Sequence, residues 1–306
     1  MPAVEAPGEP GTTDRAADRE ALLAWAAGQL GSGREARWVL EHVEAQGAEP
    51  LSAAERTRRV EALVARRVSG EPLQYVLGRW PFRSLELTVD DRVLIPRPET
   101  EQVVEVALAE LHRIGGASDA SHRVCVDLGT GSGAIALALA TEAGRWFPDL
   151  EVWATDFSAD ALAVAAQNLA LLPPGDTGAG SRVRLARGRW FAALPDDLKG
   201  RVDLIVANPP YVSESEYAEL DPGVRDWEPK EALVATMGSG GVGGMADIET
   251  IVGEAPRWLR PGGALVVEID PTQAYASIDA ARRAGFAQVT TERDLAGRLR
   301  MLVART

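Results

Sequence analysis

The residues best suited to chemistry stand together in one stretch, Asn208-Pro209-Pro210-Tyr211. This stretch follows the apolar run Val202–Ala207, which predicts a buried parallel strand. Two prolines cannot continue a sheet ladder, so we expect the chain to leave the sheet here. The turn would then offer the amide oxygen of Asn208, the carbonyl oxygen of Pro209 and the ring of Tyr211. These groups suit a flat group bearing an NH2, because each oxygen can accept one N–H while the ring covers its face. The plainer alternative is a strand exit stiffened by prolines.

A glycine-rich turn, Gly129-Thr130-Gly131-Ser132-Gly133, is the second candidate. It joins the strand pattern of residues 123–128 to the helix pattern of residues 134–140, and its glycines allow a ligand to approach the backbone closely. The spacing also satisfies the relaxed dinucleotide-binding fingerprint. Asp156 ends the next strand pattern and could accept hydrogen bonds from ribose hydroxyls. These features serve NAD or S-adenosylmethionine equally, so the pattern alone leaves the cofactor open.

Two more residues are candidates because of their positions. Trp190 follows the strand pattern of residues 183–186 and could pack on an adenine ring or belong to the core. Arg97 lies between two prolines in a stiff extended segment that could form a wall of the active site. The alternative for Arg97 is a simple helix start, since acids follow it where they favour the helix dipole.

An acidic stretch follows Tyr211 in the sequence. It is either a solvated loop or the lip of the crevice, where it would attract a basic substrate. Its acids are Glu214, Glu216, Glu219, Asp221, Asp226, Glu228 and Glu231.

The elements that must position these residues form an α/β pattern. From residue 123 onward, strand patterns alternate with helix patterns, which predicts a mostly parallel sheet with helices on both faces. Ligands bind such sheets beyond the carboxyl ends of the strands, where the candidate residues lie.

The earlier part of the chain predicts a different architecture. Ser32 with Glu35, and Ser52 with Glu55, fit helix-capping boxes. Two extended runs around Gly78 predict a hairpin. We therefore divide the chain into a disordered tail (1–13), a helical bundle (14–72), a hairpin linker (73–92) and an α/β domain (93–306).

Composition limits the possible functions. The 306 residues carry a net charge of −13, which disfavours broad contact with a nucleic-acid backbone. The single cysteine, Cys125, allows no internal disulfide, and three dispersed histidines give little support to a metal site. No apolar run could cross a membrane, and the first residues lack the pattern of a secretory signal. We expect a cytoplasmic protein without a metal.

Three features occur together in order: Asp127-x-Gly129-x-Gly131-x-Gly133, Asp156, and Asn208-Pro209-Pro210-Tyr211. Their combination resembles the class I S-adenosylmethionine-dependent methyltransferases that act on amino groups of planar systems. Within this group the chain is most similar to the peptide chain release factor N5-glutamine methyltransferases (the PrmC/HemK family). The segments that carry the closer resemblance are the N-terminal bundle, residues 74–82, residues 95–101 and Asp294-Leu295-Ala296-Gly297-Arg298.

The resemblance implies a Rossmann-like methyltransferase domain with a seven-stranded sheet, and S-adenosylmethionine as methyl donor, which becomes S-adenosylhomocysteine. It implies that Asp127 and residues 129–133 bind the cofactor, with Asp156 at its ribose and Trp190 near its adenine. It further implies that Asn208, Pro209, Pro210 and Tyr211, with Arg97, hold the glutamine of a Gly-Gly-Gln loop. Asn208 would also border the cofactor. The partners would be class 1 release factors, and a monomer is expected.

Three positions depart from the family pattern. Arg189 stands where an acidic residue commonly precedes the Trp-Phe pair, which puts an adenine contact from that side chain in doubt. Asp270 replaces a usual glycine, and the glycine tract of residues 238–244 is longer than typical.

Two alternatives remain at this point. An adenine-N6 methyltransferase acting on DNA or RNA shares the Asn208–Tyr211 motif, but it predicts a basic face and a target-reading segment, and the sequence shows neither. A non-catalytic, methyltransferase-like binding module is the other alternative.

Overall fold

The computed structural model describes residues 12–46, 51–115, 122–172, 178–236 and 244–306. Most of the predicted tail, the loop at residues 173–177 and most of the glycine tract lie outside these residues. The chain divides into two compact units, one ending at Gly78 and the other beginning at Arg79. Within the described residues, no helix is long and apolar enough to cross a membrane.

The first unit is helical. Ser32 and Ser52 begin α2 and α3 by accepting hydrogen bonds from the backbone N–H groups of Glu35 and Glu55, each at 3.2 Å, as the capping pattern predicts. Leu40 and Val60 lie in a buried apolar cluster that stabilises this unit. The helices are α1 (Thr12–Leu30), α2 (Gly33–Ala45), α3 (Ala53–Val68) and α4 (Leu73–Leu77).

The predicted hairpin is present, but its placement was wrong. Its strands β1 (Arg79–Phe82) and β2 (Leu85–Thr88) both follow Gly78, and they pair antiparallel. Residues 73–77, predicted as extended, form the short helix α4. This helix ends at Gly78, which adopts a left-handed conformation with φ of 68° and lets its N–H bond back to the carbonyl of Gln74. A short apolar run is ambiguous between strand and helix, and the terminal glycine decides it here.

The second unit contains the predicted seven-stranded, mostly parallel sheet. Its strand order is β5-β4-β3-β6-β7-β9-β8, and only β9 pairs antiparallel with its neighbours. The strands are β3 (Arg123–Leu128), β4 (Leu150–Asp156), β5 (Val183–Arg187), β6 (Val202–Ala207), β7 (Leu259–Glu268), β8 (Gln288–Arg293) and β9 (Leu299–Arg305).

Helices cover both faces of this sheet. One apolar cluster packs α5 and α6 against the sheet through residues such as Leu111 and Leu137, and a second packs α12 and α13 through residues such as Ile248 and Ala281. Every residue of β3 and β6 is buried, which explains their almost continuously apolar sequences. The helices are α5 (Pro98–Gly115), α6 (Ala134–Glu142), α7 (Ala159–Leu171), α8 (Ala179–Arg182), α9 (Glu214–Tyr217), α10 (Pro222–Arg225), α11 (Lys230–Leu233), α12 (Ala246–Glu254) and α13 (Ala274–Arg283).

Candidate active site

The strand order places the two main motifs side by side. From β3 the chain builds outward through β4 and β5, then returns to add β6 on the other side of β3. This reversal is the switch point at which open α/β sheets bind ligands. Leu128 pairs with Ala207, so the glycine turn and Asn208 leave neighbouring strands at the same level.

A cavity opens at this switch point. Pro96, Thr100 and Asp247 also contribute to its wall. The predicted site residues that line it are Arg97, Gly129, Thr130, Gly131, Ser132, Asp156, Trp190, Asn208 and Pro210. The predicted residues Asp127, Gly133, Pro209 and Tyr211 are not among the residues that line it.

The glycine turn is held by the end of β4. The N–H groups of Gly129 and Thr130 both donate to the carbonyl oxygen of Thr155 at 2.8 Å, and the N–H of Gly131 donates to Oδ2 of Asp156 at 2.9 Å. Gly129 has φ of 74°, and a Cβ there would lie 3.2 Å from the ring of Trp190. Only glycine therefore allows the backbone to approach the indole this closely.

Asp127 lies beneath the turn, not in the cavity wall. Its Oδ2 accepts hydrogen bonds from Oγ1 of Thr130 at 2.6 Å and from the N–H of Ala136 at 3.1 Å. No described residue donates to its Oδ1, although this atom is buried. Burial raises the pKa of Asp127 to about 7. In this position the carboxyl group fixes the turn and the start of α6.

Asp156 lines the cavity at the end of β4. Its Oδ1 accepts the N–H of Ser158 at 2.9 Å while its Oδ2 holds Gly131. Burial raises the pKa of this carboxyl group, and the two backbone donors oppose that shift. A carboxylate at this position can accept hydrogen bonds from ribose hydroxyls, as expected from the sequence.

Trp190 lines the cavity and also packs against a buried apolar cluster, while its contact with an adenine ring stays a prediction. Its Nε1–H donates to Oδ1 of Asp247 at 3.2 Å. The same oxygen accepts Nη2 of Arg189 at 2.7 Å, and the other accepts the N–H of Thr236 at 2.8 Å. Asp247 thus joins three segments of the cavity wall.

Sequence reasoning missed Asp247. Asp247 lies in the first turn of α12, where an acid also suits the helix dipole, so its type and position do not mark it as a site residue. Its donors come from segments remote in the sequence, so only the fold reveals its role.

Asn208 is oriented with one polar atom engaged and the other available. Its Nδ2 donates to Oγ1 of Thr100 at 3.2 Å. No described residue donates to Oδ1 of Asn208 or to the carbonyl oxygen of Pro209. Both acceptors expected for an NH2 group are therefore open among the described residues, although only Asn208 of the two is among the residues that line the cavity.

Tyr211 packs against the apolar cluster under α12 and α13. Its carbonyl oxygen accepts Nε2 of Gln273 at 3.0 Å. Burial, and secondarily the negative charge of Glu268, raise the pKa of its hydroxyl to about 12. The phenol therefore stays protonated, and the stacking of its ring on a substrate stays a prediction.

The stiff segment around Arg97 is joined to the acidic stretch. Arg97 lines the cavity and forms an ion pair with Glu228, whose buried carboxylate also accepts the N–H of Ile95 at 3.1 Å. Pro229, Glu231 and Ala232 line the cavity as well. Part of the acidic stretch thus forms the lip of the crevice, and Glu228 belongs to its supporting wall.

Asp270, the second departure from the family pattern, lies just beyond β7. Its Oδ1 accepts the N–H of Thr272 at 2.9 Å, so it caps the following short helix. It is not among the residues that line the cavity.

The cavity fits a nucleoside cofactor beside a planar amide. Two glycines without Cβ atoms, Gly129 and Gly131, line it together with the carboxylate of Asp156 and the ring of Trp190. Asn208 lines it as well, and its Oδ1 accepts no hydrogen bond from a described residue.

Comparisons with known proteins identify relatives of this chain. Residues 119–292 match a family model described as a methyltransferase domain, and residues 21–78 match the PrmC N-terminal domain. The chain is 39% identical over 287 residues to the release factor glutamine methyltransferase of Cereibacter sphaeroides, covering 92% of this chain and 93% of the relative. It is 42% identical over 265 residues to that of Bordetella pertussis, covering 87% of each chain.

Among solved structures, the chain is similar to the 16S rRNA N2 G1207 methyltransferase of T. thermophilus in complex with AdoMet and guanosine. The TM-score is 0.48 at 19% identity, covering 74% of this chain and 49% of that chain.

Proposed function

The chain belongs to the release factor glutamine methyltransferase family, and on this premise we propose its reaction. It transfers a methyl group from S-adenosylmethionine to N5 of the glutamine side chain in the Gly-Gly-Gln motif of peptide chain release factors. The observation that carries this proposal is the pairing of Leu128 with Ala207, which brings Asn208 and the glycine turn to the same edge of the sheet, where both line one cavity.

The cofactor is held by the wall formed after β3, β4 and β5. Residues 129–132 offer close approach to the backbone, Asp156 accepts from the ribose, and Trp190 borders the adenine. When bound, S-adenosylmethionine supplies a methyl group activated by a positively charged sulfur.

The substrate amide is activated by two hydrogen bonds. A carboxamide nitrogen is a poor nucleophile because its lone pair is delocalised into the carbonyl group. When Oδ1 of Asn208 and the oxygen of Pro209 accept its two N–H bonds, electron density on nitrogen increases and its orientation is fixed. Alignment of this kind supplies a large part of the acceleration in a transfer between two bound groups.

The same acceptors stabilise the transition state. Positive charge develops on the nitrogen as the new N–C bond forms, so both hydrogen bonds strengthen along the reaction. The nitrogen becomes acidic only during transfer and then releases one proton, so no base has to act first. None of the three histidines is among the described residues that line the cavity.

The predictions about binding partners made from the sequence extend this proposal. We expect the Gly-Gly-Gln loop of a class 1 release factor to enter between Arg97 and the lip that contains Glu231, because both residues line the cavity. Action as a monomer in the cytoplasm stays a prediction. Mass photometry of the purified chain would test the monomer.

The central test measures where the methyl group goes. The protein is incubated with radiolabelled S-adenosylmethionine and either a release factor, the same factor with Gln→Ala in its Gly-Gly-Gln motif, or duplex DNA. We expect label only in the unchanged release factor, and N5-methylglutamine in its digest. Label in DNA with an unlabelled release factor would contradict the proposal.

The Asn208→Ala variant tests the assigned acceptor. Loss of one preorganised hydrogen bond at the reacting group is expected to lower turnover by about 100-fold to 1,000-fold. Affinity for S-adenosylhomocysteine, measured by calorimetry, should change by only a few-fold. Equal losses in turnover and affinity would show that Asn208 serves the cofactor instead.

A further inference from the structure

A series of hydrogen bonds runs from Asn208 through the cavity wall to Glu268. Nδ2 of Asn208 donates to Oγ1 of Thr100 at 3.2 Å, and Oγ1 of Thr100 donates to Oε2 of Glu268 at 2.8 Å. Thr100 lies in the first turn of α5, and Glu268 is the last residue of β7. The side chains of Thr100 and Glu268 are buried, so water has little access to the bond between them.

The hydroxyl of Thr100 determines which groups donate and which accept in these hydrogen bonds. A hydroxyl group has one hydrogen to donate. When that hydrogen goes to an ionised Glu268, Oγ1 can only accept from Asn208. The Asn208 carboxamide must then turn Nδ2 toward Thr100, and Oδ1 is left for the cavity.

Protonation of Glu268 would remove this constraint. A protonated carboxyl group can donate to Oγ1 of Thr100, which frees the hydroxyl hydrogen to donate to Oδ1 of Asn208. The carboxamide would then turn its NH2 group toward the cavity. An NH2 group cannot accept the N–H of a substrate amide.

The surroundings of Glu268 place its titration near neutral pH. Burial, and secondarily Glu99 of α5, raise its pKa to about 7, while the Thr100 hydrogen bond, Arg300 of β9 and Arg97 oppose that rise. Tyr211 also faces this carboxyl group, but its own hydroxyl stays protonated.

We propose that Thr100 and Glu268 are positioning residues that set the direction of the Asn208 carboxamide, with ionised Glu268 turning Oδ1 toward the substrate. This inference rests on the proposed function, because it assigns a purpose to the orientation of the group that holds the glutamine amide. It adds two residues that act through Asn208.

The first test separates the effect of the Thr100 hydroxyl group from the effect of the side-chain shape. Thr100→Val keeps the side-chain volume but removes the hydroxyl, and Thr100→Ser keeps the hydroxyl. We expect Thr100→Val to lower kcat on the release factor by about 10-fold to 100-fold, the range for a group acting through one hydrogen bond. Thr100→Ser should retain kcat within about three-fold.

Two measurements guard against a merely structural effect. Thr141→Val makes the same change at a threonine that is not among the cavity-lining residues and should keep wild-type kcat. Melting curves and S-adenosylhomocysteine affinity should be similar for all the variants. Wild-type kcat in folded Thr100→Val would overturn the inference.

The second test uses pH. Because the reaction requires ionised Glu268, we expect kcat to be high above the pKa of Glu268 and to fall as the pH is lowered through about 7. In Glu268→Gln, the carboxamide oxygen accepts from Thr100 at every pH, so this acidic limb should disappear while part of the activity remains. An acidic limb unchanged in Glu268→Gln would overturn the inference.

A binding measurement tests the role of Glu268 ionisation independently of turnover. Calorimetry with a Gly-Gly-Gln peptide and the S-adenosylhomocysteine complex should show peptide affinity falling at acidic pH for wild type but not for Glu268→Gln. If the wild type fails to label any release factor, the proposed function and this inference both fail. If it labels the factor but these variants and profiles behave as wild type, the inference alone fails.

Discussion

Asp247 organises one wall of the cavity through a single buried carboxylate. It accepts hydrogen bonds from Arg189, Trp190 and Thr236, which come from two different segments. Arg189 departs from the family pattern, where an acidic residue is common. Here Asp247 lines the same cavity and neutralises Arg189, so the wall retains a carboxylate despite the change.

Removal of this carboxylate should weaken cofactor binding. In Asp247→Ala, Trp190 loses the acceptor that fixes its ring, and the Arg189 guanidinium loses its partner. We expect the Kd for S-adenosylhomocysteine, measured by calorimetry, to rise by about 10-fold or more, since lost hydrogen bonds to charged groups typically cost this much. Turnover at saturating cofactor should change by only a few-fold.

The exposed substitution Asp196→Ala controls for the loss of one negative charge. It should leave the Kd unchanged. An unchanged Kd in Asp247→Ala would show that the position of Trp190 does not depend on this carboxylate.

At the residue scale, the structure confirms the predicted placement of residues at strand ends in one cavity, while their chemical roles stay predictions. The Asn208 amide and Asp156 are of this kind, because strand ends at a switch point meet in one cleft. Asp247, Glu268 and Asn168 were missed. Each receives its partners from segments far away in the sequence, and their types alone do not distinguish them from surface polar residues.

At the scale of elements, the central strands such as β3 and β6 were predicted well because they are buried on both faces and therefore have apolar sequences. The hairpin was misplaced because the run before Gly78 is too short for periodicity to separate strand from helix. The acidic stretch was predicted as one feature. It folds instead into the three short helices α9, α10 and α11, whose caps and packing are specified by local residues such as Ser213 and Asp221.

Asn168 links three elements through its side-chain amide. Its Oδ1 accepts the N–H of Thr88 in the hairpin at 2.6 Å. Its Nδ2 donates to the carbonyl oxygens of Thr88 at 3.0 Å and of Ser132 at 2.8 Å. The glycine turn is therefore braced against α7 and the hairpin by one buried residue.

Loss of this brace should reduce stability and cofactor affinity together. In Asn168→Ala, several buried backbone groups lose their partner, which should lower the free energy of unfolding by about 2 to 3 kcal/mol. Urea denaturation would measure this change, and calorimetry should show weaker binding of S-adenosylhomocysteine because the Ser132 carbonyl is no longer fixed.

The neighbouring exposed residue provides the control. Gln167→Ala should change the free energy of unfolding by less than about 0.5 kcal/mol. If Asn168→Ala were as stable as Gln167→Ala, the hydrogen bonds of Asn168 would not brace the turn.

At the scale of the whole molecule, the buried carboxyl groups of the site should shape the pH dependence of folding. Burial raises the pKa of Asp127 from 3.8 to about 7, so the folded chain binds this proton more tightly than the unfolded chain. The resulting stabilisation is fully present below the unfolded pKa and is lost as the pH rises through about 7.

Comparison with Asp127→Asn isolates this contribution. Between about pH 5 and 7, the unfolding free energy of wild type relative to Asp127→Asn should fall with rising pH, by at most about 1.4 kcal/mol per pH unit. Urea denaturation across this range measures the difference. Asp149→Asn, an exposed change of the same kind, controls for the altered formal charge. A difference that did not vary with pH would rule out this titration.

The backbone hydrogen bonds of the glycine turn affect which ligands can bind there. Four of its five N–H groups, those of Gly129, Thr130, Gly131 and Gly133, already donate to oxygen atoms of the protein. A pyrophosphate needs such donors, and it could gain them here only by breaking bonds that hold the turn in place. These four donors are thus engaged before any ligand arrives, which disfavours the binding of a pyrophosphate at this turn.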